Sequence, residues 1–284
     1  MGKKKGVYWL FLLPSLLGVL LFYAVPFLFS LYYAVIDNMG SKKFVGLKNF
    51  TDTLTNPLFQ SASVNTLVFI GISVPLGMAV ALFLSICLQR MKRGRIPASM
   101  ALLLPLVVPS GTIVYFWKML FDSNGMVQKL LLQMGLPHEA VSQNQWTMGI
   151  LVAVFLWKNV SYNIVLFWSG LNWIPKTYYE QMELEGAGGW RQFTNVTWVY
   201  LSPTTFVVLL MSIVNSFKVF KEVYLLYGSY PSPDIYMLQH YMNNQFLSLN
   251  MQKLSSAAYL MFLVIGVVLL ILFYAQKRVT DACQ

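Results

Sequence analysis

Six apolar runs divide the chain, each longer than the roughly 20 residues a helix needs to cross about 30 Å of hydrocarbon. They predict helices over about 7–36, 62–88, 98–120, 147–171, 201–222 and 254–276. Polar stretches separate them, of which 37–61, 121–146 and 223–253 fall on one side and 89–97 and 174–200 on the other. The first run follows a basic start, Met1-Gly2-Lys3-Lys4-Lys5. A signal peptide also begins with basic residues, but its apolar core is only about 7 to 15 residues long. This run exceeds that and reads as an uncleaved first span. Pro14 and Pro26 can kink it, because neighbouring helices in a bundle re-satisfy the freed backbone groups, and Pro105 and Pro109 lie within the third run. Internal repeats and low-complexity segments are absent, so the pattern predicts an all-α integral membrane protein with one membrane domain over residues 1–284.

Charge fixes the orientation. The segments assigned inside hold Lys3, Lys4, Lys5, Arg90, Lys92, Arg93, Arg95, Lys176, Arg191, Lys277 and Arg278, eleven of the twenty basic residues and every arginine. The outer segments hold Lys42, Lys43, Lys48, Lys129 and Lys253. An excess of Lys and Arg marks cytoplasmic loops, so both termini and the 174–200 loop are expected inside. The basic run Arg90–Arg95 lies between two spans, which argues against nucleic acid as a partner.

Composition narrows the class further. Hydrophobic residues make up 57% of the chain and charged residues 11%, with mean hydropathy +0.60, which excludes an ordinary soluble domain. The two cysteines, Cys87 in an apolar run and Cys283 in the tail, are poorly placed for a structural disulfide. With no CxxC pair and no histidine cluster, no metal site is expected. No Gly-x-x-x-x-Gly-Lys-Ser/Thr loop occurs, so any ATP hydrolysis must come from a partner.

The longest polar interruption on the inner side is 174–200. Pro175 suits a first helical position, since it has no amide hydrogen to lose. Tyr179, Met182 and Gly186 follow at spacings of three and four and form one stripe, with Glu180, Glu183 and Glu185 elsewhere on the helix. Gly186, Gly188 and Gly189 predict a stop or bend. Trp190, Phe193 and Val196 then begin a second short helix, and Pro203 can open the next long one. A short amphipathic helix followed by a glycine bend suits insertion into a groove of another protein. Solvation of a plain surface helix accounts equally well for Glu183 and Glu185.

This stretch resembles the EAA loop of ABC-importer permeases, Glu-Ala-Ala, three residues, Gly, nine residues, Ile-x-Leu-Pro. Glu180 stands at the glutamate, Gly186 at the glycine and Val196 at the isoleucine. The chain departs at Gln181 and Met182, which replace the alanines, at Trp198 for the leucine and at Val199 for the proline. Phe44-Val45-Gly46-Leu47-Lys48-Asn49-Phe50 with Asn65-Thr66 is similar to a stretch of sugar-type permeases, of the kind paired with a second, different permease. The Asn215–Phe220 run shares that similarity. The resemblance implies the type I importer fold with six transmembrane helices. It implies a cytoplasmic ABC ATPase dimer that uses ATP and Mg, an extracytoplasmic solute-binding protein and a sugar substrate. This chain itself would bind no cofactor and catalyse nothing. Tyr179, Glu180, Met182, Glu183, Gly186 and Ala187 would form the ATPase-docking element.

Two groups of polar residues inside apolar runs are candidates for lining the solute path. Asn159, Tyr162 and Asn163 fall on one side of the fourth run, next to Trp157 and Lys158; amides and an aromatic ring suit sugar hydroxyls and ring faces, or they glue helices together in lipid. Asn215, Lys218 and Glu222 share a face of the fifth run, near Lys221. They line the path, or Lys218 pairs with Glu222 or snorkels to the headgroups. The turn-rich Tyr227–Asp234 segment is either a connector or a contact for the binding protein. His138 and His240 are isolated and expected to be solvated or hydrogen-bonded. A membrane enzyme would need clustered carboxylates with His, Ser or metal-ligand partners, and an ion-coupled transporter would show inverted repeats; the sequence offers neither.

Overall fold

The computed structural model describes residues 3–121, 125–135 and 147–282. His138, Cys283 and, within the expected 121–146 loop, residues 122–124 and 136–146 lie outside the described residues. Within them the chain is almost wholly helical, with one isolated antiparallel bridge, Ile36 to Phe44. Five helical stretches are long and apolar enough to cross a bilayer: Phe11–Val35, Pro57–Arg90, Met148–Asn172, Gly189–Tyr227 and Met251–Lys277. They match five of the six predicted runs.

The sixth, expected as one helix over 98–120, is broken. Helix α5 (Arg95–Val107) ends where Val108 turns to extended backbone, and α6 starts at Ser110 and runs to Phe121. Pro109 explains the break, because the residue before a proline is pushed out of the helical region. Pro105 stays inside α5.

The chain forms two compact units, residues 1–60 with 241–266 and residues 61–240 with 267–284. In the first, α1 (Lys3–Val19) passes through a π turn at Leu20–Ala24 into α2 (Val25–Val35). Pro26 cannot donate to the carbonyl four residues back, and the wider turn just before it absorbs that defect. Asn49, in α3 (Lys48–Leu54), is buried and donates from Nδ2 to the Ala34 carbonyl at 3.0 Å and to the Ile36 carbonyl at 2.7 Å. It closes the open carbonyl end of α2. Gly46 makes the turn before α3 at φ +60°. The ring of Phe27 packs on Tyr259 and Phe262 of α14 (Met251–Ala282), and Phe59 packs on Tyr241.

The second unit is built on α4 (Pro57–Arg90), α8 (Thr147–Asn172) and α11 (Trp198–Phe217). Its core joins Ala81, Leu88, Ile164, Phe167, Leu171, Leu201 and Val208. Lipid tails are as apolar as leucine, so burial alone gives these helices little reason to associate; close packing and polar contacts must hold them. Both are present. A Cβ on Gly170 would come within 2.6 Å of Thr204 Oγ1 and 2.9 Å of Leu201 Cδ2, so only glycine allows α8 and α11 to approach this closely. Asn163 Nδ2 donates to Ser212 Oγ at 3.0 Å, Gln89 Nε2 to the Leu171 carbonyl at 3.1 Å and Ser161 Oγ to the Leu102 carbonyl at 2.7 Å.

Helix α7 (Met126–Gln133) precedes α8, and α12 (Phe220–Tyr227) follows α11. The expected 223–253 loop holds a 3₁₀ turn, Pro233–Ile235, and α13 (Leu238–Leu247). Asn65 and Thr66 anchor it. Asn65 Nδ2 donates to the carbonyls of Pro233 and Tyr236, at 2.6 and 3.0 Å, and Thr66 Oγ1 accepts from the Leu238 amide at 3.0 Å. The Tyr227–Asp234 segment is thus joined to a connection pinned to α4. His240 is fully buried, with Nδ1 accepting from the Met237 amide at 3.2 Å and its ring edge-on to Phe220, so it is hydrogen-bonded and not solvated.

Candidate functional site

The 174–200 loop folds as helix, bend, helix. Pro175 is the N-cap at φ −61° and ψ 134°, one residue outside the position expected for it, and α9 runs from Lys176 to Leu184. The bend is a Schellman cap: the Ala187 amide donates to the Met182 carbonyl at 2.9 Å and the Gly186 amide to the Glu183 carbonyl at 3.0 Å, with Gly186 at φ +72°. Of the three glycines, only Gly186 uses the left-handed region. Gly188 is an extended N-cap and Gly189 is the first residue of α10 (Gly189–Gln192). From there a π turn, Phe193–Thr197, leads directly into α11. Pro203 therefore lies inside a helix that begins at Gly189 and does not open one; as at Pro26, a π turn precedes the proline.

The apolar stripe of α9 faces inward. Tyr179 and Met182 pack against the core of α4, α8 and α11, and the Tyr179 hydroxyl shares a 2.9 Å hydrogen bond with Thr197 Oγ1. These two side chains, expected to fill a partner's groove, instead fix α9 to its own helices. Ala187 is buried beside them. The outward face carries Glu180, Glu183 and Leu184, the last 89% exposed, and Trp190 stands out from α10 at 77% exposed, stacked on Phe193. Leu184 went unnoticed in the sequence because it falls off the three-four stripe. Its signal was an isolated leucine among glutamates. Glu183 also borders a cavity of about 860 Å³ with Arg90, Lys176, Gln192 and Trp190.

Within the second unit, a cavity of about 400 Å³ lies between α8, α11 and α12. Asn159, Tyr162, Asn215 and Lys218 line it, as do Lys158, Glu222, Leu106, Phe155 and Met211. Asn163 does not reach it; this residue is buried on Ser212 and acts as helix glue. Asn159 donates to the Phe155 carbonyl at 2.9 Å, so its carbonyl oxygen stays available. The pairing of Lys218 with Glu222, one of the open alternatives, is not formed. Lys218 Nζ donates to Asn215 Oδ1 at 3.1 Å, and Glu222 Oε1 binds Lys158 Nζ of α8 at 2.7 Å. The chain tightens between the two residues: the amides of Lys218, Val219, Lys221 and Glu222 each bond a carbonyl three residues back. Such 3₁₀ turns advance only three residues per turn and swing Glu222 off the face of Lys218. An acidic residue in an apolar run announces a partner, and spacing along the chain can offer only a near neighbour, never one on another helix.

Among the described residues no cluster of His, Cys, Asp or Glu could hold a metal ion. The one region presents an exposed face of glutamates and Leu184, the other a polar, partly charged cavity.

Comparison with known proteins gives both regions a context. The chain is 30% identical to the sn-glycerol-3-phosphate transport system permease protein UgpA of Yersinia pestis over 213 residues, 74% of this chain and 72% of the relative. It is 28% identical to the arabinooligosaccharides transport system permease protein AraP of Bacillus subtilis over 98% of this chain and 88% of that protein. A solved bacterial alginate ABC transporter, in complex with an alginate pentasaccharide-bound periplasmic protein, shares its fold at TM-score 0.84 and 21% identity, covering 98% of this chain and 96% of the other. Residues 73–281 match one family across most of the chain's length, and this multi-pass membrane protein belongs to it: the binding-protein-dependent transport system inner membrane components.

Proposed function

We propose that the chain is one of two different permease subunits of an ATP-driven importer in the bacterial cytoplasmic membrane, where it forms half of the path for a sugar or oligosaccharide. Residues 1–284 act as one permease domain with both termini inside. A cytoplasmic ATPase dimer binds ATP and Mg, and this chain binds neither. An extracytoplasmic binding protein delivers the solute, a reading that the binding-protein-dependent family and the alginate transporter in complex with its periplasmic protein support.

The observation that carries this reading is the build of the 174–200 loop. Its outward face offers Glu180, Glu183 and Leu184 for docking, while Tyr179, Met182 and the Gly186 cap fix it to helices that border the cavity. A push on α9 is therefore carried into α11 through Thr197 and the continuous helix from Gly189 to Phe217. ATP-driven closure of the nucleotide-binding subunits moves this element as a rigid body and opens the bundle outward; hydrolysis resets it. The polar cavity lining, Asn159, Tyr162, Asn215 and Lys218, contacts the solute.

The test is affinity capture of the tagged chain from its native membranes in mild detergent, with mass spectrometry of what accompanies it. A second permease and an ATPase are expected. Recovery of the chain alone, or uptake by the purified chain without any ATPase, overturns the reading.

A further inference from the structure

The 400 Å³ cavity adjoins a second of about 370 Å³, and the two share Lys158, Lys218 and Glu222. The second adds Lys221, Phe220 and Gln239. The charges in this lining do not cancel: three lysines face one glutamate, a net charge of +2. The glutamate is committed, since its side chain is 7% exposed and bound to Lys158 at 2.7 Å. Lys218 donates to Asn215 Oδ1, a neutral amide that orients the ammonium without offsetting its charge. Leu106, Val154, Phe155, Met211 and Val219 make much of the surrounding wall. Lys218 and Lys221 are themselves exposed, and beside such a wall their charge attracts an arriving anion more strongly than it would in bulk water. A neutral solute gains nothing from that attraction; hydrogen bonds from Asn159, Tyr162 and Asn215 would serve it alone.

We infer that these joined cavities receive a carbohydrate bearing a carboxylate or phosphate, with Lys218 and Lys221 as the residues that select for its charge. Lys158 is positioned by Glu222 and supplies the far wall. The amides and the tyrosine hydroxyl meet the sugar hydroxyls. This inference rests on the importer reading above and narrows its substrate class.

The test measures uptake by cells carrying the complete importer, with three radiolabelled probes: a galacturonic acid disaccharide, sn-glycerol 3-phosphate and neutral arabinotriose. At least one anion should enter, the disaccharide indicating a carboxylate and the glycerol ester a phosphate. Replacing both Lys218→Gln and Lys221→Gln should lower that uptake about tenfold or more, as expected for losing charge-assisted hydrogen bonds, while Lys218→Arg holds it within about threefold. Entry of arabinotriose with exclusion of both anions overturns the inference, as does exclusion of all three, or anion uptake that the double glutamine variant leaves unchanged. Immunoblots of membranes confirm equal amounts of each variant, and the wild-type preference among probes needs no variant at all. Capture of the chain without an ATPase would defeat the importer reading instead, so the two failures are distinct.

Discussion

Glu222 and Lys158 meet at 2.7 Å although 64 residues separate them, and their pairing joins α12 to α8 across the cavity. Removing one member of a largely buried pair leaves the other charge without compensation, which costs more than the intact pair contributes. Glu222→Ala should therefore destabilise the protein, on the order of 3 kcal/mol before a discount for the partial exposure of Lys158. The double change Lys158→Met with Glu222→Leu should be milder than Glu222→Ala alone. Thermal aggregation of the detergent-solubilised complex, followed by size-exclusion chromatography, measures both; a double variant less stable than the single one would contradict the pairing.

Gly170 offers a sharper test of helix packing. Its missing side chain lets Thr204 and Leu201 approach, and the atoms in the way belong to another helix. Gly170→Leu should force α8 and α11 apart and cost about 1–3 kcal/mol or more by overpacking. Adding Thr204→Ala beside the smaller change Gly170→Ala should restore part of the loss, because Thr204 Oγ1 and Cγ2 are among the atoms that crowd the added methyl group. The same chromatographic melt reads the rescue.

At Gly186 the obstacle is the backbone and not space, since no atom lies within 4 Å of an added Cβ and φ is +72°. Substitutions should rank by tolerance of the left-handed region: Gly186→Asn mildest, Gly186→Ala worse by about 1 kcal/mol, Gly186→Val worst. Uptake at the wild-type rate by Gly186→Val would show that the Schellman bend is dispensable for coupling.

His240 predicts a pH effect. Burial pushes its pKa down from the ordinary 6.5 to about 4. The unfolded chain therefore takes up a proton below pH 6.5 that the native state refuses until about pH 4. Stability present at neutral pH is lost as pH falls through that window. Among the described residues, Phe220, Tyr236 and the Met237 amide face the ring. The melting temperature should fall between pH 6.5 and 4, and His240→Gln should flatten that part of the profile. An equal slope in both proteins would remove His240 from the account.

The sequence determined what depends on neighbours along the chain. Run length set five spans, the residue before Pro109 set the break in the remaining run, and Gly186 set the bend of the 174–200 loop, because span length, proline sterics and a left-handed φ are all local properties. The helix–bend–helix build of residues 174–200 was legible for the same reason. Tertiary structure decided whatever depends on how helices are rotated against one another. The spacing of Tyr179 and Met182 drew a stripe but could not say that it faces the chain's own core and leaves Leu184 outward. Asn159 and Asn163 sit one turn apart on α8, yet one borders the cavity and the other is spent on Ser212. The 3₁₀ tightening after Asn215 turned Glu222 from its neighbour Lys218 to Lys158, a choice made by the packing of α12 against α8 and invisible to any spacing rule.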